Sequence, residues 1–242
     1  MQPGAKIAER EPQHPTSGGF LRDIVFGAND GVVTAIGFLV GISGSVTDQT
    51  IVVIAGALTI IAGAASMALG NYLAVKSQRE FYEQMEKIER WEMEYKPEVE
   101  RDEIREIYEN YGFDKQTVEI LTKKVTSDPE LWLKVMMRDE LGLAKEDSPT
   151  LAGIVIGLFY LMAGIPPLLP FIFLRPLSRA LIASVVVSIL VMILIGATRW
   201  FLNKGSLSNK VVETIVIGLL AAGIGFAAGE ALNFFGISGV SI

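Results

Sequence analysis

Cysteine is absent from all 242 residues, which removes disulfides, thiolate metal sites and cysteine nucleophiles at once. Histidine occurs once, at His14, in a polar segment between Pro12 and Pro15. Neither a His-based metal site nor a Ser–His dyad is therefore expected within one chain. Charge is missing where it matters most. Residues 151–172 and 180–195 contain no Asp, Glu, Lys or Arg. An uncharged apolar run of about 18 or more residues reads as a transmembrane helix. A basic excess is lacking too: the formal net charge is −6, which argues against nucleic acid as a partner.

Half of the residues are hydrophobic, and their grouping gives an all-α, polytopic membrane protein. Five spans are expected, over roughly 24–42, 51–75, 151–173, 178–201 and 211–233. The link between the first two is short and rich in small residues, so that pair forms a tight antiparallel hairpin. Residues 1–19 are polar and Pro/Gly-containing, and are expected to be a disordered tail and not a signal peptide, because no apolar core follows a basic start. The domain order is the tail, residues 20–75 with two spans, a polar helical insert at 76–149, and residues 150–242 with three spans.

The insert carries 20 of the 27 acidic residues and 13 of the 21 basic ones, a net of −7. Residues 76–95 hold no Gly or Pro, so the second span is expected to run on as one helix into water until Pro97 ends it. Helices follow over 98–111, 114–126 and 128–141. Asp114 and Ser127 or Asp128 serve as N-caps, Pro129 suits a first turn, and Gly112 and Gly142 act as stops. Arg22, Lys76, Arg79, Arg199, Lys204 and Lys210 flank one side of the membrane, against Arg175 and Arg179 on the other. The count favours a cytoplasmic N-terminus and insert. Gly37 with Gly41, Gly153 with Gly157 and Gly225 with Gly229 have the small-xxx-small spacing that lets membrane helices approach closely. Packing inside one bundle is the first reading of these pairs. A dimer face built on Gly37 and Gly41 is the other.

Two features suggest chemistry. Asp30 lies inside an apolar span, where a carboxylate costs ~2.5–3.5 kcal/mol on insertion scales. Counting inward from the flanking charges, Asp30 and Met67 both lie about 12 Å deep on antiparallel neighbouring helices. A hard carboxylate with a soft thioether suits transient binding of a first-row divalent ion, although methionine more often simply packs. Asn29, Ser66 and Asn71 add polarity at similar depth. The second feature is the Glu pattern of the insert. Glu89 and Glu92 share one helix face, Glu100 and Glu103 another. Folding back at Pro97 would bring the faces together, and facing carboxylates repel unless a cation lies between them. Oxygen ligation suits Mg²⁺, Ca²⁺, Mn²⁺ or Fe²⁺. A solvated charged helix explains the spacing slightly better on its own. Met136 and Met137, followed by Asp139 and Glu140, either join such a site or pack the insert's core with Leu131, Trp132 and Val135.

Residues 22–34 (RDIVFGANDGVVT) and 62–80 (AGAASMALGNYLAVKSQRE) resemble the first two spans of the vacuolar iron transporter family. Residues 138–143 (RDELGL) resemble the end of its cytoplasmic domain, and a turn at 166–170 (PPLLP) also fits. The resemblance covers roughly 20–229. It implies a dimeric five-span exporter, with no prosthetic group, that moves Fe²⁺ or related ions (Mn²⁺, Co²⁺, Zn²⁺) out of the cytoplasm in exchange for protons. By the resemblance, Asp30 and Met67 line the ion path, and Glu89, Glu92, Glu100, Glu103 and Glu140 bind metal with Met136 and Met137 nearby. The partners implied are divalent ions, protons, lipid and a second copy of the chain. The membrane would be the cell membrane in a prokaryote and the vacuolar membrane in a eukaryote. Members often carry Glu where this chain has Thr59 and Asn71. The competing readings are a membrane-anchored metal sensor or store, and a ferroxidase. The ferroxidase reading is weakened because di-iron bundle sites typically use Glu-x-x-His and the insert has no histidine.

Overall fold

The computed structural model describes residues 18–143, 148–203 and 205–234, and among them the only regular structure is helical. The tail at 1–17, and His14 with it, lie outside the described residues. In chain order the helices are α1 (Gly18–Ser45), α2 (Gln49–Tyr95), α3 (Pro97–Asn110), α4 (Lys115–Val125) and α5 (Pro129–Val135). The last runs into one π-helical turn, Met136–Glu140. Then come α6 (Pro149–Phe173), α7 (Leu177–Asn203) and α8 (Leu207–Phe234). Five of them, α1, α2, α6, α7 and α8, are long and apolar enough to cross a membrane. The chain divides into two compact units, one of Met1–Tyr72 with Pro149–Ile242 and one of Leu73–Ser148.

In the first unit α1 is held by α6 on one face and α8 on the other, through glycines that allow backbone to meet backbone. A Cβ added at Gly31 would lie 2.2 Å from the Tyr160 carbonyl oxygen of α6, and one at Gly225 of α8 would lie 2.0 Å from the Gly37 carbonyl oxygen. Only glycine tolerates such an approach, which brings Cα–H groups onto facing carbonyls. Gly41 meets Gly225 and Gly229 in the same way. The Gly37 and Gly41 face is therefore filled by α8 of the same chain and is not open for a second copy. Gly153 and Gly157 of α6 pack on Ala68 and Ala64 of α2. Two apolar clusters complete the packing. Ala35, Leu39, Val52, Ile60, Ala64, Tyr160, Leu168, Phe171 and Ala180 form one; Ala28, Val32, Ile36, Ala163, Met192 and Ile195 form the other.

Residues 166–170 do not form a turn. Pro166, Pro167 and Pro170 lie inside α6. Proline has no N–H, so the carbonyls four residues earlier lose their intrahelical donor, yet membrane helices tolerate this when neighbouring groups support the segment. Here Ser184 of α7 donates to the Pro167 carbonyl at 2.7 Å. The Gln49 side-chain amide donates to the Phe171 and Leu174 carbonyls at 2.6 and 2.7 Å. Gln49 thus closes the end of α6 from the start of α2.

In the second unit the polar half of α2 continues without a break to Tyr95, and α3 restarts at Pro97. Asp114 and Asp128 are the N-caps of α4 and α5, each accepting two backbone N–H bonds. Gly112 ends the α3 turn with φ +86°, a conformation L side chains rarely adopt. Ile104, Val125, Trp132, Val135 and Met136 make the core of this unit.

The glycine contacts give a direct check. Gly225→Ala puts a methyl group into backbone that cannot yield, and should lower stability by about 1–3 kcal/mol, the usual cost of overpacking. Gly223→Ala, on the same helix with nothing within 4 Å of its added Cβ, should leave the melting temperature of the detergent-solubilised protein unchanged.

Candidate functional site

The acidic residues of the second unit sort into two populations that their spacing does not separate. Glu80, Glu83 and Glu86 pair with Lys76, Arg79 and Arg90 one turn away. Glu98 and Asp102 pair with Arg101 and Arg105 on their own helix. These are exposed i,i+3 and i,i+4 pairs on a solvated face, each worth a few tenths of a kcal/mol. Glu89 continues the same three-residue repeat, but it is 4% exposed, and Glu100 is 2% exposed. Each leaves one buried carboxylate oxygen, Oε2, without a hydrogen-bond partner among the described residues. A buried carboxylate without a partner is costly, so these two positions ask for a cation or a proton.

Charge accumulates around them. The Glu100 carboxyl is pushed up to about 7, first by burial and then by the charges of Glu103, Glu89, Glu92 and Glu140. Glu140 is also pushed up to about 7, by desolvation of its carboxyl and then by Glu89, Glu103 and Glu92. The residue as a whole is exposed, so solvent screens it more than Glu100. Glu103 is raised by burial, Glu92 and Glu106, with Lys96 opposing. Glu92 is held at 2.9 Å by Lys96. The five glutamates singled out by sequence therefore share one electrostatic neighbourhood. Among the described residues, however, no three acidic side chains converge tightly enough to enclose a metal ion as they stand. The arrangement can attract and concentrate cations. Closing around one requires the side chains to move inward.

Met136 and Met137 are both buried, at 0% and 2% exposure. Met136 packs in the apolar core, while Leu131, expected beside it, is 36% exposed. The two methionines open the π-helical turn, whose wider winding is closed by the Leu141 N–H to the Met136 carbonyl at 3.1 Å. The π turn puts adjacent residues closer to one face than an α turn would. Met136 and Met137 thus both face inward, and Glu140 follows on the same turn.

In the first unit Asp30 is half-buried on α1, and Met67 is half-buried on α2. None of the ion pairs of the described residues involves Asp30, whereas Asp23, one end of the same helix, is paired with Arg22 at 3.2 Å. Met67 packs against the cluster that contains Tyr160, and Asp30 is near enough to Tyr160 for its charge to be felt there. Tyr160 thus stands between the two residues the sequence singled out. It carries no charge and sits in an uninterrupted apolar run, so nothing in the pattern marked it. Asn71 uses its amide to donate to the Ala152 carbonyl of α6 at 3.1 Å. It is a neutral interhelical tie, not a proton carrier.

Comparison with known proteins places this geometry in a family. The chain is 34% identical to vacuolar iron transporter 1 of Oryza sativa subsp. japonica, with 91% of this chain and 88% of that protein covered. It is 30% identical to vacuolar iron transporter 1 of Eucalyptus grandis, with 96% of both covered. It is also 30% identical to Protein CCC1 of Saccharomyces cerevisiae over 84% of this chain and 66% of that protein. The family model described as the VIT family matches residues 21–230. The match takes in all five membrane-spanning helices and every acidic and methionine residue discussed above, and the chain belongs to the VIT family.

Proposed function

We propose that this protein is a transporter, not an enzyme, and that it carries divalent metal ions, Fe²⁺ foremost, out of the cytoplasm in exchange for protons. The observation that carries this reading is Asp30, a carboxylate with no ion-pair partner among the described residues, in a helix otherwise suited to lipid. A charge at that depth is retained for function. Asp30 and Met67 form the intramembrane stage for the ion. Burial favours the protonated acid and a cation favours the carboxylate, so one group alternates between proton and metal. The names of the relatives, vacuolar iron transporters, favour iron as the cargo. Mn²⁺, Co²⁺ and Zn²⁺ suit the same hard-and-soft ligand set.

In this reading the second unit is cytoplasmic and collects the ions. Glu89, Glu92, Glu100, Glu103 and Glu140 are the oxygen ligands, drawn inward by the cation, with Met136 and Met137 supplying soft contacts. One Asp–Met pair is too few ligands for a divalent ion, and a two-fold axis doubles them. The faces left for a second copy are on α2, where Ile51, Ile54, Leu58 and Ile61 are exposed at the three- and four-residue spacing of a helix seam.

The cluster makes the metal-free protein sensitive to pH in a definite sense. Carboxyls raised in the folded state bind protons that the unfolded chain has already lost. Stability of the metal-free protein should therefore fall as pH rises from the ordinary glutamate range through about 7, the value for Glu100 and Glu140,. Fe²⁺ or Mn²⁺ should restore it at pH 7.5 and have little effect at pH 5. Thermal unfolding of the full chain at several pH values, with and without metal, tests this. In Glu100→Gln the metal-free protein should lose most of the pH slope.

Asp30→Asn keeps the shape and removes the charge. It should abolish uptake into proteoliposomes while calorimetric metal binding to the full chain persists through the glutamates. Met67→Leu should reduce uptake less, because only a neutral ligand is lost. Uptake by Asp30→Asn at the wild-type rate would place the path elsewhere. Metal binding with no uptake by the wild-type protein would leave a store or sensor.

The absence of native cysteine makes dimerisation easy to map. A single cysteine at Leu58 should cross-link two copies in lipid, and one at Gly37, covered by α8, should not. Cross-linking confined to detergent, or no dimer at full activity, counts against the shared site.

A further inference from the structure

We propose that Tyr160 is the spacer that sets the width of the intramembrane ion site and, through it, which divalent ions pass. The inference rests on Asp30 and Met67 holding the ion. Tyr160 is 2% exposed and belongs to α6. Its backbone is pressed onto α1 at Gly31, where an added Cβ would lie 2.2 Å from its carbonyl oxygen. Its ring reaches α2 at Gly63, where an added Cβ would lie 2.2 Å from the hydroxyl oxygen and 2.7 Å from Cζ. Gly31 is the residue after Asp30. Gly63 lies four residues before Met67, one helical turn away on the same face. One stiff side chain is thus anchored at both ends next to the two groups that hold the ion.

Thr34 hydrogen-bonds the phenol and lies one turn beyond Asp30 on α1. It fixes the ring without making the hydroxyl available as a ligand. Both glycines lack the Cβ that would allow some other contact to take over. The distance between α1 and α2 at this level is therefore set by the length of a tyrosine. Oxygen–metal distances run from about 2.0–2.1 Å for a small divalent ion to about 2.3–2.6 Å for a large one. A change of a few tenths of an ångström in the separation of Asp30 from Met67 is enough to favour one over another. If Gly63 and Tyr160 were only packing, altering them would change the rate for all ions alike.

The test uses the full chain in proteoliposomes supplied with Zn²⁺ and Mn²⁺ together. Tyr160→Phe removes the outermost atom and should let the helices close, raising the Zn²⁺-to-Mn²⁺ uptake ratio. Gly63→Ala forces the ring back and should lower it. We expect each shift to be about threefold or more, modest beside the ~10²-fold that a misplacement of about 1 Å costs an aligned reacting group. The double variant should move back toward the wild-type ratio, because the nearest atom is then Cζ at 2.7 Å rather than the hydroxyl at 2.2 Å. Tyr160→Phe keeps the ring, so it remains informative if Gly63→Ala does not fold. An unchanged ratio in Tyr160→Phe, or shifts of the same sense in both variants, overturns the proposal. Asp30→Asn is run alongside. If it is inert while the Tyr160→Phe ratio is unchanged, only the spacer is wrong, whereas normal uptake by Asp30→Asn removes the ion site on which the spacer depends.

Discussion

Backbone contact between helices is the constraint on which the membrane unit depends. In lipid there is no hydrophobic drive to press one apolar helix against another, so close packing and polar ties must do the holding. Gly31 against Tyr160 and Gly225 against Gly37 bring α1 to its neighbours at the shortest range a polypeptide allows. That leaves Asp30 little freedom to drift from the depth at which it acts. The side-chain bonds from Ser184, Gln49 and Asn71 to carbonyls of α6 do the same for the proline-containing helix that carries Tyr160. A charge in the membrane is useful only if its surroundings hold still, and here the surroundings are main chain.

The second unit works by the opposite logic. Its carboxylates are gathered where they repel, and two of them are buried with an oxygen unsatisfied. The surrounding ion pairs on α2, α3 and α5 neutralise the outer face and leave the inner face acidic. A site built this way is soft: the cation supplies part of the energy that organises it, and release follows when protons take its place. Such a site suits loading and unloading better than permanent storage.

Much of the architecture was legible in the sequence because lipid imposes long uncharged runs, and nothing else in the chain resembles them. The unbroken α2 was legible from the absence of Gly and Pro over 76–95, and the caps at Asp114 and Asp128 from their residue type. The PPLLP segment misled, since its prolines read as a break while the bilayer and Ser184 keep it helical. Gly37 and Gly41 could have faced any helix, and spacing carries no information about the partner's identity. The split between paired and buried glutamates was hidden for a related reason. Glu86 and Glu89 are alike in periodicity, and only the fold shows that Arg90 reaches Glu86 while Glu89 points inward. Tyr160 was invisible because an aromatic in an apolar run is ordinary.

The π-helical turn at Met136–Glu140 has a consequence for how this chain can vary. It contains one residue more than an α-helical turn needs. Deleting one residue there would give a regular helix with better backbone geometry, and each residue beyond the deletion would rotate by about 100°. Glu140 would then leave the company of Glu89 and Glu100, although its side chain and its neighbours in sequence were unchanged. The length of this segment is therefore tied to the phase of the helix, and the chain tolerates substitution here far more readily than a change of register.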